Sequence, residues 1–140
     1  TSPDFGYGIL EAATKAGAIP LAIHPAMRFT GTSIDLPRLR DARIAVSAPK
    51  IALPIAQALA IEIGGEPVVI AEEARAAYAE AFSVASDFSA MVVSQAIGLL
   101  EEAGVENARD IIGPVVKSSV DRALADGHVG LDPDDVDEFE

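Results

Sequence analysis

His24 is the residue in this sequence best suited to moving a proton. It follows a short apolar run, Ile19-Pro20-Leu21-Ala22-Ile23, and precedes Pro25. A run this short, closed by proline, predicts a buried strand ending at His24. Ligands of α/β sheets bind outside the carboxyl ends of strands. A side chain that titrates near neutrality could there give a proton to a carbonyl oxygen as the carbon is reduced; the plainer alternative is a structural histidine bonded to loop backbone. Arg28 lies four residues on, in a loop rich in Thr, Gly and Ser that runs to about Ser33. Its planar guanidinium could grip a substrate carboxylate with two parallel hydrogen bonds, or lie solvated. Thr30 could add a hydroxyl donor to a ligand, whereas Thr32 reads as loop-stabilising.

Metal chemistry has no such constellation. Cysteine is absent, and His24 and His128 are too far apart to form a ligand pair by spacing. Asp132, Asp134, Asp135, Asp137 and Glu140 superficially resemble a calcium loop. An EF-hand needs Gly at its sixth position and Glu at its twelfth; counting from Asp132, the sixth residue is Asp137 and the chain ends before the twelfth. The segment reads as a solvated acidic tail, and His128 as a cap or surface histidine.

The elements that must position these residues are legible from punctuation and period. A short helix is predicted from about Phe5 to Ala16, stopped by Gly17. Arg43-Ile44-Ala45-Val46-Ser47 predicts a second strand. A helix from about Lys50 to Ile63 follows, with Ile51, Ile55, Leu59 and Ile63 recurring every four residues, Pro54 in its first turns and Gly64-Gly65 as its stop. Pro67-Val68-Val69-Ile70 predicts a third strand. From Ala71 to about Ala103 the spacing of Ala74, Tyr78, Phe82, Ala85, Phe88, Val92, Ala96 and Leu99 predicts one long helix, ended by Gly104. A last helix is expected from about Glu106 to Ala125, kinked or divided by Pro114.

Composition limits the partners. The 140-residue chain carries a formal net charge of −12, with seven acids and no Lys or Arg between Asp126 and Glu140. Such a surface repels phosphate backbones and anionic lipid, so neither nucleic acid nor a membrane is expected. No run reaches the ~18 consecutive apolar residues of a membrane span, and the start has neither the basic nor the apolar region of a signal peptide. With cysteine absent, a cytoplasmic setting is expected. Half of the residues are hydrophobic and Trp is absent, so Ala, Ile, Val and Leu must fill the core.

The stretch Leu21-Ala22-Ile23-His24-Pro25-Ala26-Met27-Arg28-Phe29-Thr30-Gly31-Thr32, with Asp35-Leu36 and Leu39 behind it, resembles a bacterial family of oxidoreductases. These join a Rossmann-like domain to a helical C-terminal domain of unknown function. Some are regarded as ketopantoate reductases of an alternative type, related to the 6-phosphogluconate dehydrogenase-like superfamily. The resemblance continues through Ile61-Glu62-Ile63-Gly64-Gly65-Glu66-Pro67-Val68 and Ala71-Glu72-Glu73-Ala74-Arg75-Ala76-Ala77-Tyr78, and covers residues 1 to about 127. It implies an α/β part followed by an all-α part: residues 1–70 as the C-terminal portion of a Rossmann-like domain, 71–127 as a helical dimerisation and substrate domain, and 128–140 as a disordered acidic tail. It also implies NADP or NAD as cofactor, a small 2-oxo acid as substrate and a homodimer. The His-Pro loop is similar to that of prephenate dehydrogenases as well, where the matching histidine handles the proton of a substrate hydroxyl; this implies a catalytic role for His24, beside which Arg28 and Thr30 of the same loop are the candidate substrate contacts. Ser2 matches a position where related dehydrogenases place a hydroxyl facing the cofactor or substrate.

Two features depart from that pattern. The chain has no GxGxxG; its Gly64-Gly65 lies between a helix and a strand, the reverse of the strand–glycine–helix order that cradles a pyrophosphate. The chain is therefore expected to begin within the domain and not to bind the dinucleotide tightly by itself. On the long helix, many relatives carry histidine at the position of Ala79 and asparagine at that of Asp87; the resemblance implies that polar groups there face the substrate, which makes Asp87 a candidate substrate contact. Alanine can move no proton, and an ionised aspartate accepts hydrogen bonds but cannot donate them. The departures motivate an alternative expectation, a non-catalytic dimerisation or ligand-binding module of a degenerate relative.

Overall fold

The computed structural model describes residues 2–127; the acidic tail and His128 lie outside them. The chain divides into two compact units between Phe88 and Ser89.

The first unit is built on a three-stranded sheet in the order β1 (Ala22–Pro25), β2 (Arg43–Ser47), β3 (Glu66–Val69). β1 runs antiparallel to β2, with His24 opposite Ala45; β2 runs parallel to β3, with Ala45 opposite Val68. The register sorts the side chains. Ile23, Ile44, Val46 and Val69 share one face, and His24, Ala45, Ser47 and Val68 the other. Against the first face packs α3 (Leu53–Ile63), which reaches β3 by a parallel crossover. Ile44, Val46, Ala56 and Ala60 form the buried core, with Leu21, Ile23, Ala48 and Leu53 around it.

The core face of α3 is not the one its large residues suggest. Ile51 is 89% exposed, and Ile55, Leu59 and Ile63 are also exposed, whereas Ala52, Ala56 and Ala60 are buried. Both stripes recur every four residues, so periodicity alone cannot choose between them. The small stripe lets the helix backbone approach the bulky Ile44 and Val46. Gly64 caps the helix in the left-handed conformation (φ 100°). At Gly65 a Cβ would lie 2.8 Å from the Ala42 carbonyl oxygen and collide with Ile44, so this glycine serves helix–strand packing.

Other elements shift from expectation. The first strand lies later than the apolar run suggests, so His24 and Pro25 are inside β1 and not beyond it. Pro25 is tolerated because β1 is an edge strand and the proline needs no partner on its open side. The N-terminal helix is a 3-10 turn (Tyr7–Leu10) running into α1 (Glu11–Lys15) and ended by Gly17, φ 94°. A further helix, α2 (Asp35–Asp41), occupies a stretch in which no helix was expected. Beyond β3, a 3-10 turn (Glu72–Ala74) opens α4 (Arg75–Ser83), which passes into a π-helical segment (Val84–Phe88).

The second unit contains α5 (Ser89–Glu102) and α6 (Ala108–Asp126), packed on each other around a turn containing Gly104 at φ 77°. α6 runs unbroken through Pro114. The proline lies near the helix start, so the carbonyl it leaves unpaired, that of Asp110, is on an exposed residue. Ala108 is the only buried residue in these two helices; Met91, Val92, Leu99, Ile111, Val115 and Leu124 are all at least half exposed. The helical run Glu72–Glu102 is long and apolar enough, by length and composition, to cross a membrane; its most apolar window has a mean hydropathy of 1.3, with none of it buried.

Candidate functional site

The site forms on the sheet face opposite α3. The pleat turns His24 to that face, where it is only 6% exposed. Helix α4 brings Arg75, Tyr78 and Phe82 to it at i, i+3 and i+7, one helical stripe. His24 Nδ1 and the Tyr78 hydroxyl oxygen are 2.7 Å apart. The imidazole meets Tyr78 and Phe82 edge to face, at centroid distances of 5.7 and 4.9 Å. Burial lowers the His24 pKa from its ordinary value, the Arg75 charge lowers it further, and Asp4 opposes the shift. These effects favour the uncharged imidazole. Burial raises the pKa of the Tyr78 phenol against the pull of Arg75, so it stays protonated.

Arg75 is 3% exposed. Its Nη2 donates to the carbonyls of Ser2 (2.8 Å) and Phe5 (2.9 Å), and its guanidinium carbon lies 5.3 Å from the centre of the Tyr78 ring. One turn earlier, the Glu72 carboxylate accepts hydrogen bonds from the Tyr7 and Gly8 amides, at 3.1 and 2.8 Å. A side chain on Gly6 would overlap that carboxylate. The start of α4 thus holds the N-terminal segment by opposite charges, an acid on its donors and a base on its acceptors. Sequence reasoning passed over this pair. An arginine amid helix alanines reads as a surface residue, and nothing in its spacing signals burial.

Beside this cluster is a cavity of about 380 Å³ lined by Asp4, Met27, Arg28, Ala79, Phe82, Ser86 and Asp87, among others. Both positions that depart from the family resemblance therefore face it. Arg28 Nη1 donates to Asp87 Oδ1 at 2.5 Å, and Asp87 Oδ2 accepts from Ser83 at 3.1 Å. The Arg28 hydrogen bond, then that of Ser83, holds the Asp87 carboxyl below its ordinary pKa. Arg28 and Asp87 keep 64% and 60% of their side-chain surface exposed, so the pair is solvent-bathed and labile.

Thr30 and Ser2 are engaged locally. Asp35, buried at the start of α2, accepts hydrogen bonds from the Thr30 hydroxyl and amide and from the Gly31 amide, and Thr30 also bonds the Thr32 hydroxyl. These bonds outweigh the effect of burial and keep the Asp35 pKa low. Thr30 thus shapes the loop that carries Arg28. The Ser2 hydroxyl donates to Asp4 at 2.7 Å. Arg28 and Asp87 meet at the cavity, whereas His24 does not line it and reaches it only through its contact with Phe82; Thr30 and Ser2 are bonded within the segments around them. Among the described residues no group of His, Cys, Asp or Glu could hold a metal ion.

The chain belongs to the family defined by a domain of unknown function, DUF2520, whose model matches residues 42–131. Its structure is similar to the crystal structure of protein TM1727 from Thermotoga maritima, with a TM-score of 0.72 and 22% identity. The match covers 89% of this chain and 47% of that one, so this chain spans about half the length of that protein. At that identity the likeness is one of fold. No curated protein matches the chain.

Proposed function

We propose that this chain is the substrate-side portion of an NAD(P)-dependent oxidoreductase, of Rossmann type in its sheet, that reduces a small 2-oxo acid similar to ketopantoate. The observation that carries the reading is His24: a buried imidazole hydrogen-bonded to Tyr78. Phe82, which meets the His24 ring edge to face, also lines the neighbouring cavity that holds the Arg28 guanidinium, so a ligand there lies next to the pair and not on it. A carbonyl polariser beside a carboxylate receptor is what a 2-oxo acid needs. The reading leaves the dinucleotide to another part of the protein: the loop that joins β1 to α2 carries the single glycine Gly31 and not a glycine-rich turn, and at Gly65 a side chain would collide with Ile44. On this reading the pyrophosphate is held by another part of a longer, cytoplasmic protein, and the 47% coverage of TM1727 supports that view.

The test compares two samples. The chain alone, titrated with NADPH and followed by fluorescence, is expected to show no saturable binding. The full product of its gene is expected to consume NADPH or NADH with a panel of small 2-oxo acids, and to lose turnover in the His24→Gln variant. A full-length product that turns over none of the panel overturns the reading.

A second reading, a homodimerisation module, is favoured by the second unit. Two helices that bury only Ala108 between them leave their apolar side chains in water. A second copy would cover them in a four-helix arrangement.

A further inference from the structure

Arg75 is a charged group in an unusual position. It is almost fully buried, it makes no ion pair among the described residues, and its Nε and Nη1 have no hydrogen-bond partner there. Burying an uncompensated guanidinium is costly. A methionine of similar reach would fill the space without that cost, so packing alone does not account for the residue. What the charge does touch is the face of Tyr78, whose hydroxyl in turn meets His24 Nδ1.

We propose that Arg75 is the positioning residue of this site. It orients the His24–Tyr78 hydrogen bond so that the phenol donates to Nδ1 and the imidazole carries its single proton on Nε2. The inference rests on the proposed reductase reading and adds to it the form in which His24 acts.

Three observations on geometry and charge lead there. A neutral imidazole and a phenol 2.7 Å apart can bond in either direction. A cation at 5.3 Å from the ring draws electron density from the phenol, which makes its O–H a better donor and its oxygen a poorer acceptor. The guanidinium cannot drift, because its Nη2 is held by the carbonyls of Ser2 and Phe5. The charged groups that act on His24 include Arg75 on α4 and Asp4 on the N-terminal segment, while Tyr78 faces it as a neutral phenol. With the proton on Nε2, His24 polarises a ligand carbonyl as a neutral donor and does not need to be an imidazolium. When a ligand oxygen that has gained negative charge takes the Nε2 proton, the N–H bond breaks as the new O–H bond forms. Nδ1 then takes the phenol proton, and the phenolate is left beside the Arg75 cation.

Nitrogen-15 NMR of the imidazoles reports the tautomer directly, and the His24→Gln variant assigns the signals. The chain at neutral pH is expected to show His24 as a single Nε2–H tautomer. Arg75→Met is expected to give a mixture of tautomers, and Arg75→Lys, which keeps the charge, to restore the Nε2–H form in large part. Should Arg75→Met not fold, Arg75→Gln provides the uncharged comparison. An Nδ1–H tautomer in the unmodified chain overturns the proposal, and so does a folded, uncharged variant with an unchanged tautomer. Neither outcome depends on turnover, so failure here is distinguishable from failure of the reductase reading, which the full-length assay decides.

Discussion

Arg28 and Asp87, far apart in sequence, meet at 2.5 Å in the lining of the cavity and pair their opposite charges. Arg28 rides on the loop after β1, and Asp87 on the π-helical segment after α4. π-helical turns are rare and recur at functional sites. The consequence is a competition. A ligand carboxylate at Arg28 competes with the Asp87 carboxylate, which already occupies Nη1 in an exposed pair. Asp87→Asn removes the competing charge and leaves a side chain that can both donate and accept. The variant is expected to bind small 2-oxo acids several-fold more tightly than the unmodified chain in calorimetric titration, with little change in melting temperature because the pair is exposed. Equal affinities would remove Arg28 from the carboxylate-binding role.

Asp35 gives a second prediction. Its carboxylate gathers three hydrogen bonds from Thr30 and Gly31, and its folded pKa is depressed. A depressed carboxyl pKa stabilises the fold fully above the unfolded value of 3.8, and that contribution is lost as pH falls through the lower folded value. Asp35→Ala is therefore expected to weaken hydrogen-exchange protection at the Thr30 and Gly31 amides at neutral pH. The unmodified chain should show the same local loosening only in strong acid. Unchanged protection in Asp35→Ala would mean that the Thr30–Gly31 turn is held without this carboxylate.

The packing of α3 yields a third. Ala56 and Ala60 are fully buried in one cluster with Ile44 and Val46, whereas Ile55 is exposed. Ala56→Leu overpacks this core and is expected to cost about 1–3 kcal/mol in chemical denaturation. Ile55→Gln should stay within about 0.5 kcal/mol of the unmodified chain. The reverse ranking would mean that the isoleucine stripe is the true core face.

The same helix shows what a sequence does and does not reveal. β2 was legible residue for residue, because Arg43-Ile44-Ala45-Val46-Ser47 is β-branched, apolar and sharply bounded. The end of α3 was equally plain, since Gly64-Gly65 leaves few alternatives. The face of α3 was not, because isoleucines and alanines share one period and only the third dimension tells which stripe meets Ile44. α2 was missed because its residues, Asp-Leu-Pro-Arg-Leu-Arg-Asp, look like loop until Asp35 is seen collecting the Thr30 and Gly31 amides. On the long helix, regular spacing predicted a single stripe from Ala74 onward. The π-helical segment at Val84–Phe88 breaks that register, so the stripe that meets His24 through Tyr78 and Phe82 does not continue through Phe88 and Val92, which are exposed. His24 and Arg28 could be singled out by residue type; Arg75 could not, because its importance lies in where it is buried.

The titration of His24 gives a fourth prediction. Its folded pKa lies below 6.5, burial being the larger cause and the Arg75 charge the next. The uncharged form is favoured by folding, so this group's contribution is fully present above the unfolded pKa and is lost as pH falls through the folded one. His24→Gln has no such proton to accept. The stability gap between the unmodified chain and His24→Gln should narrow steadily from about pH 7 to about pH 5 in thermal melts. A gap constant over that range would mean that His24 titrates alike in the folded and unfolded states.

The last prediction concerns α5 and α6. An amphipathic helix pair is stabilised by burying its apolar side chains, and each leucine or valine fully buried contributes about 1.5–3 kcal/mol. Leu99, at 61% exposure, and Leu124, at 78%, contribute little of that within one chain. A second copy laid on the same faces would recover it. Sedimentation at micromolar concentration is expected to show a dimer. Leu99→Arg would place a charge in the contact, at a cost that shifts the equilibrium to monomer with the first unit still folded, as judged by the buried His24 signal. A monomer in the unmodified chain would remove homodimerisation from the functions proposed here. The His24 reading would be untouched, because every contact that builds that site lies before Ser89.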